Sequence, residues 1–167
     1  MKVHHLDRAR GVHPRMLVLL QEWVKRGPFE IVVGLNGGLR TDPTVQAMLS
    51  GNGMSAANNL RITPHGRGGA LDLWPVSFLA HVPKSWGGEA RRWTTWPELP
   101  PVVRDQFALI VTFSKGFGVY NQGADWVGRA YEHGDNPHHE LKDWQRLPFP
   151  APVYEFPADL EALTVSG

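Results

Sequence analysis

Two segments, His65-Gly-Arg-Gly-Gly-Ala-Leu-Asp72 and Asp135-Asn-Pro-His138, carry the residue types that could do chemistry together. They hold two imidazoles and a carboxylate, with a second carboxylate three residues before the last histidine. Two histidines and an aspartate suit a hydrolytic zinc, which takes three protein ligands and keeps a fourth position for water. Asp135 can then stand beside that open position, take a proton from the attacking water and hand it to a leaving amine. Each segment alone is a common turn pattern. Their joint occurrence, with glycines between the candidate ligands, points to a site.

Spacing sets what the backbone must do. His65 and Asp72 are seven residues apart, which in a straight strand puts them on opposite faces. A helix would bring them together, but Gly66, Gly68 and Gly69 argue against one. A glycine turn that returns His65 beside a strand carrying Asp72 satisfies both. Alternation then places Ala70, Asp72 and Trp74 on one face and Leu71 and Leu73 in the core. The small Ala70 leaves room beside the carboxylate. Pro137 holds Asn136 extended and sets the approach to His138. If 138–141 is a strand, Glu140 shares the face of His138 and can hydrogen-bond it, while His139 points away. Trp74 and Trp126 are candidate cleft walls, whereas Trp23 and Trp144 read as core. His4, His5 and His13 fall near a terminus expected to be mobile, His81 falls in an unassigned stretch, and His133 reads as a solvated loop residue.

The surrounding elements must hold these segments in place. Pro14 with Met16, Leu17, Leu20, Trp23 and Val24 has helical spacing, stopped by Gly27-Pro28. Phe29–Leu35 reads as a buried strand and Asn36-Gly37-Gly38 as a turn. Thr41 is the expected cap of a short helix running through Met48. A loop spans Ser50–Asn59, a strand Leu71–Pro75, and a second helix Pro101 to Phe113. Phe117–Tyr120 and His138–Leu141 are short strands, and the tryptophans and prolines of 76–97 leave that stretch unassigned. Pro148, Pro150, Pro152 and Pro157 predict an extended tail. The expected architecture is one small α+β domain with a central antiparallel sheet flanked by helices. Residues 1–147 would form the catalytic part, with 148–167 as a tail packed on it or trailing it.

Composition narrows the partners. The 167 residues contain 17 Lys+Arg against 16 Asp+Glu, a formal net charge of +1, so nucleic acid is not expected as the partner. Zero cysteines exclude disulfides, thiolate metal sites and a cysteine nucleophile. Met16–Leu20 and Ala108–Val111 are too short to span a bilayer, and the N-terminus shows no secretory signal. A monomer without membrane insertion is expected.

The pattern His65-x-x-Gly68-x-Ala70-x-Asp72, followed by Asp135-x-Pro-His138-x-Glu140-Leu141, resembles a family of zinc peptidases. That family holds the D-Ala-D-Ala carboxypeptidases and dipeptidases and the L-alanyl-D-glutamate endopeptidases of phage endolysins. Gly38-Leu39-Arg40-Thr41 is similar to its Gly-x-Arg-Thr element. The resemblance runs from Ile31 to Leu141 and implies a Hedgehog/D-Ala-D-Ala-peptidase-like fold. It implies one Zn2+ held by His65, Asp72 and His138, Asp135 as the catalytic acid and base, and Arg40 on the substrate or oxyanion. Thr63 stands where the family has serine, so a hydroxyl for the substrate or for a ligand's support is kept. His139 stands where the family has an aromatic. The Asp-x-Pro-His form resembles the endolysin branch, which implies a peptidoglycan stem peptide as substrate, cut at L-Ala–D-Glu. Such an enzyme waits in the host cytoplasm until it is released to the cell wall. The alternatives are a D,D-carboxypeptidase or dipeptidase on the same scaffold, or a non-catalytic zinc-containing cell-wall or virion protein.

Overall fold

In the computed structural model, which describes residues 2–51, 59–125 and 136–165, the first helix α1 (Pro14–Arg26) begins where expected. Pro14 needs no N–H partner at a helix start, and the His13 ring accepts the Arg15 N–H at 3.2 Å. Met16, Leu17, Leu20 and Trp23 form its buried face, and the Trp23 indole donates to the Phe29 carbonyl at 3.0 Å. Among the described residues four further helices follow: α2 (Pro43–Gly51), α3 (Pro101–Lys115), α4 (Gln122–Asp125) and α5 (Ala158–Val165). Asp42, rather than Thr41, caps α2 through its carboxylate, which accepts the Thr44 N–H at 2.8 Å. A carboxylate also suits the positive end of a helix.

Five strands, β1 (Val3–His4), β2 (Ile31–Val33), β3 (Ala70–Pro75), β4 (Val119–Asn121) and β5 (His138–Leu141), form one sheet in the order β1-β2-β3-β5-β4. The sheet is mixed. Its β2–β3, β3–β5 and β5–β4 pairs are antiparallel as expected, but β1 runs parallel to β2. The N-terminal segment is therefore no loose end: Val3 and Leu6 are buried, and the Ile31 N–H donates to the Lys2 carbonyl. The anticipated strand 29–35 shortens to β2 because the chain turns away through Asn36, at φ 56°.

Side chains alternate across the sheet and feed two apolar clusters. The larger packs α1 and Leu160 of α5 against Ile31, Val33, Leu71, Leu73, Val119 and Leu141. The smaller lies on the face of Val32 and Trp74, with Phe78, Val82, Leu99, Val103 and Phe107. Residues 76–97 belong to this second cluster. They fold as short 3-10 turns, Val76–His81, Lys84–Trp86 and Trp96–Glu98. Phe78 meets Trp93 and Phe107 edge-to-face, with centroids 5.5 and 4.8 Å apart, which favours a fixed packing of rings. No apolar periodicity announces this stretch, because its order comes from aromatic contacts between turns.

The proline-rich end also differs from the extended tail expected of it. After the prolines, α5 returns to the body, where Leu160 is 1% exposed and Arg10 pairs with Glu161. Truncating Leu160→Ala should therefore lower unfolding free energy by about 2–5 kcal/mol in urea titrations. Val153→Ala, at a fully exposed position, should change it by less than about 0.5 kcal/mol.

Candidate metal centre

Three backbone devices bring the ligand candidates together. Gly68 adopts φ +70° at the end of the turn His65–Arg67, a conformation that glycine reaches without penalty. That turn is buried, and it is held from the other side by the segment after β2. The Arg40 N–H donates to the His65 carbonyl at 3.0 Å, and the His65 Nδ1–H donates to the Gly38 carbonyl at 2.9 Å. The same segment grips β3: Gly34 N–H donates to the Asp72 carbonyl, and Asp72 N–H to the Gly37 carbonyl. A side chain at Gly37 would lie 2.9 Å from the Asp72 Cβ, so the approach requires glycine. Finally, the β3–β5 register sets Asp72 directly opposite His138. Residues facing each other in an antiparallel pair share a face.

The result is a near-equilateral triangle. His65 Nε2 lies 3.2 Å from His138 Nδ1 and 3.3 Å from Asp72 Oδ1, and the latter two are 3.4 Å apart. Ligands at zinc's usual 2.0–2.1 Å in a tetrahedron stand about 3.3–3.4 Å from one another, so the three atoms fit one face of such a tetrahedron. Their protonation fits as well. His65 Nδ1 carries its proton to Gly38, and His138 Nε2–H donates to Glu140 Oε2 at 3.0 Å. In the neutral rings the inward nitrogens are then lone pairs, as in metal-bound histidines oriented by an outer acceptor. Asp72 Oδ1, buried, accepts no hydrogen bond among the described residues. Three unprotonated donors aimed at one point repel each other unless a cation lies between them. His65, Asp72 and His138 form a buried group able to bind a metal ion.

The electrostatics keep the ligands ready. Burial pushes the His65 imidazole below its ordinary value, so it stays neutral. Burial raises the Asp72 carboxyl, while each neighbouring imidazole lowers it when that ring carries a second proton, and the balance lies well below the usual range. The other oxygen, Oδ2, faces Arg40 Nη2 at 3.7 Å. Arg40 is itself fixed, with Nε donating to the Asn36 carbonyl at 2.8 Å and Nη1 to Gln46 Oε1 at 3.3 Å.

A cleft of about 480 Å³ opens over Asp72 and Arg40, and Asn36, Leu49, Trp74 and Trp86 are among its walls. No protein-family model matches the sequence, and no curated protein matches it. Comparison with solved structures gives a likeness of architecture. The chain is similar in fold to the Serratia marcescens L-Ala D-Glu endopeptidase ChiX. The TM-score is 0.52 at 19% identity, over 83% of this chain and 88% of that one.

The sequence candidates that fall within the described residues now have places. His65, Asp72, His138 and Arg40 converge, and Glu140 supports His138. Glu140 stands opposite Ala70 in the strand register. Trp74 lines the cleft although it is 97% buried, its indole N–H without an acceptor among the described residues. Thr63 is buried just before the turn, and its carbonyl accepts the Gly66 N–H. His139 points to the opposite face, with Nδ1 donating to the Pro137 carbonyl at 2.8 Å. Asp135, Trp126 and His133 lie outside the described residues. Sequence reasoning missed Gln46, Ser85 and Trp86. A buried polar residue one turn before Leu49 on α2 was the available signal for Gln46.

His138→Ala should abolish binding of a divalent metal in equilibrium dialysis. Saturating metal should raise the melting temperature of the wild type and leave the variant unmoved. Without metal, stability should fall as pH drops below 6.5, the ordinary imidazole value. There the unfolded chain takes up a proton that buried His65 resists, so the stabilisation is complete above 6.5 and lost on acidification. Urea titrations at neutral and mildly acidic pH, with His65→Gln as the reference, check the sign.

Proposed function

We propose that this chain is a zinc-dependent peptidoglycan peptidase of the endolysin kind, a monomer hydrolysing the L-Ala–D-Glu amide of the stem peptide. The observation that carries the reading is the triangle of His65, Asp72 and His138 atoms, with edges of 3.2–3.4 Å, of which Asp72 lines an open cleft. Two nitrogens and one oxygen form a donor set suited to zinc. The fold likeness to an L-Ala D-Glu endopeptidase supports the substrate class. When bound, zinc supplies Lewis acidity toward a carbonyl and a water.

The chain's own residues do the rest. Glu140 holds the His138 ring in the tautomer that presents Nδ1 to the metal. Arg40, held by Asn36 and Gln46, keeps a guanidinium beside Asp72 for a substrate carboxylate or for the charge that develops on the scissile oxygen. Asp135, three residues before His138, is assigned as the base: it takes a proton from the attacking water and delivers it to the departing amine as the C–N bond breaks. Trp74 and Trp86 wall the cleft in which the peptide lies. Thr63 shapes the turn that presents His65, and Trp126 completes the substrate-side aromatics in this reading.

Purified muropeptides digested with and without chelator, then read by mass spectrometry, test the proposal. Chelator-sensitive loss of the L-Ala–D-Glu linkage is expected. Release of terminal D-Ala would mark a D,D-carboxypeptidase, and zinc content with no cleavage a binding protein. Asp135→Asn should lower kcat about 100-fold or more while zinc content stays at the wild-type level.

A further inference from the structure

The face of β4 and β5 that turns away from the cleft is apolar at Val119 and Leu141, yet carries two polar side chains, Asn121 and His139. Both are buried, at 1% and 0% exposure, and they stand opposite each other in the strand register. Their hydrogen bonds form one connected set. Asn121 Nδ2 donates one proton to the Asn136 carbonyl and the other to His139 Nε2 at 3.2 Å. Asn121 Oδ1 accepts the Ala124 N–H at 2.9 Å. His139 Nδ1–H donates to the Pro137 carbonyl, which also accepts the Leu73 N–H at 2.8 Å.

The two peptide carbonyls before His138 are thus both tied down, one by Asn121 and the other by His139 and Leu73. Pro137 removes a backbone torsion between them. His138 must place Nδ1 to within a few tenths of an ångström to complete a ligand triangle, and its ring is borne on this stretch of backbone. Buried hydrogen bonds are strong constraints, because water offers no alternative partner.

We propose that Asn121 is a positioning residue for the metal centre, acting through the 136–137 backbone and His139 on His138. It touches no ligand atom. The inference rests on the assignment of His65, Asp72 and His138 as a metal centre, and it is independent of which peptide bond is cut.

The test uses the full chain and the metals themselves. Zinc affinity is measured by chelator competition and ligand geometry by the visible spectrum of the Co2+-loaded protein. Asn121→Leu removes both donors; the double variant with His139→Phe also removes the imidazole that would be left unsatisfied. Asn121→Leu should weaken zinc binding by about 10–100-fold and alter the Co2+ spectrum. The double variant should regain melting temperature without metal but not zinc affinity, because the Asn136 carbonyl stays untethered. If the single variant does not fold, the double variant decides by the same two measurements. Wild-type affinity and spectrum in these variants would overturn the proposal, as would affinity that returns in step with stability. A wild type that binds neither metal overturns the metal centre itself, whereas metal binding without peptidase activity overturns only the proposed function.

Discussion

Two imidazole nitrogens and a carboxylate oxygen, held within 3.4 Å of one another in a buried corner, are the constraint around which this protein is arranged. Such a cluster costs free energy, since lone pairs and a carboxylate repel and have lost water. The structure holds it by engaging the remote atoms: the Gly38 carbonyl accepts a hydrogen bond from one imidazole, Glu140 accepts one from the other, and Arg40 faces the second oxygen of Asp72. With those atoms committed, the inward ones face a single point that a cation would fit. The outer contacts therefore define the site as much as the ligands do.

The sheet serves the same end. Its central pair, β3 and β5, carries Asp72 and His138 across from each other, and His65 arrives on a turn clamped by the segment that leaves β2. Apolar packing on both sides fixes these strands. One cluster lies under the helices, and the other consists of interlocked rings from the 76–97 stretch. That stretch also brings Ser85 and Trp86 to the cleft. The same residues are thus packing for the scaffold and wall for whatever enters.

Much of this was legible in the chain. Apolar residues at helical spacing located α1 and α3, and the glycines between His65 and Asp72 required the turn that Gly68 makes with its positive φ. Alternation along β3 and β5 put Asp72 and Trp74 on one face, and Glu140 beside His138. Other elements were not legible. The parallel strand β1 has only two residues, too few to show a period. Helix α5 follows a proline run whose local preference is for extended chain, and it is ordered by the burial of Leu160 and the Arg10–Glu161 pair. The aromatic stretch has no period at all.

Local spacing speaks for residues near in sequence, because turn geometry and side-chain alternation act over a few residues. It determined the three candidate residues, the turn between the first two of them, and the face that each strand residue takes. Distances between remote segments depend on register and packing, which no local pattern encodes. Tertiary structure alone decided that Asp72 faces His138, and that Gly38 orients His65. It also decided that the buried His139 is accommodated by Asn121 from the neighbouring strand. A buried imidazole needs a partner for each nitrogen, and only the folded chain could supply both.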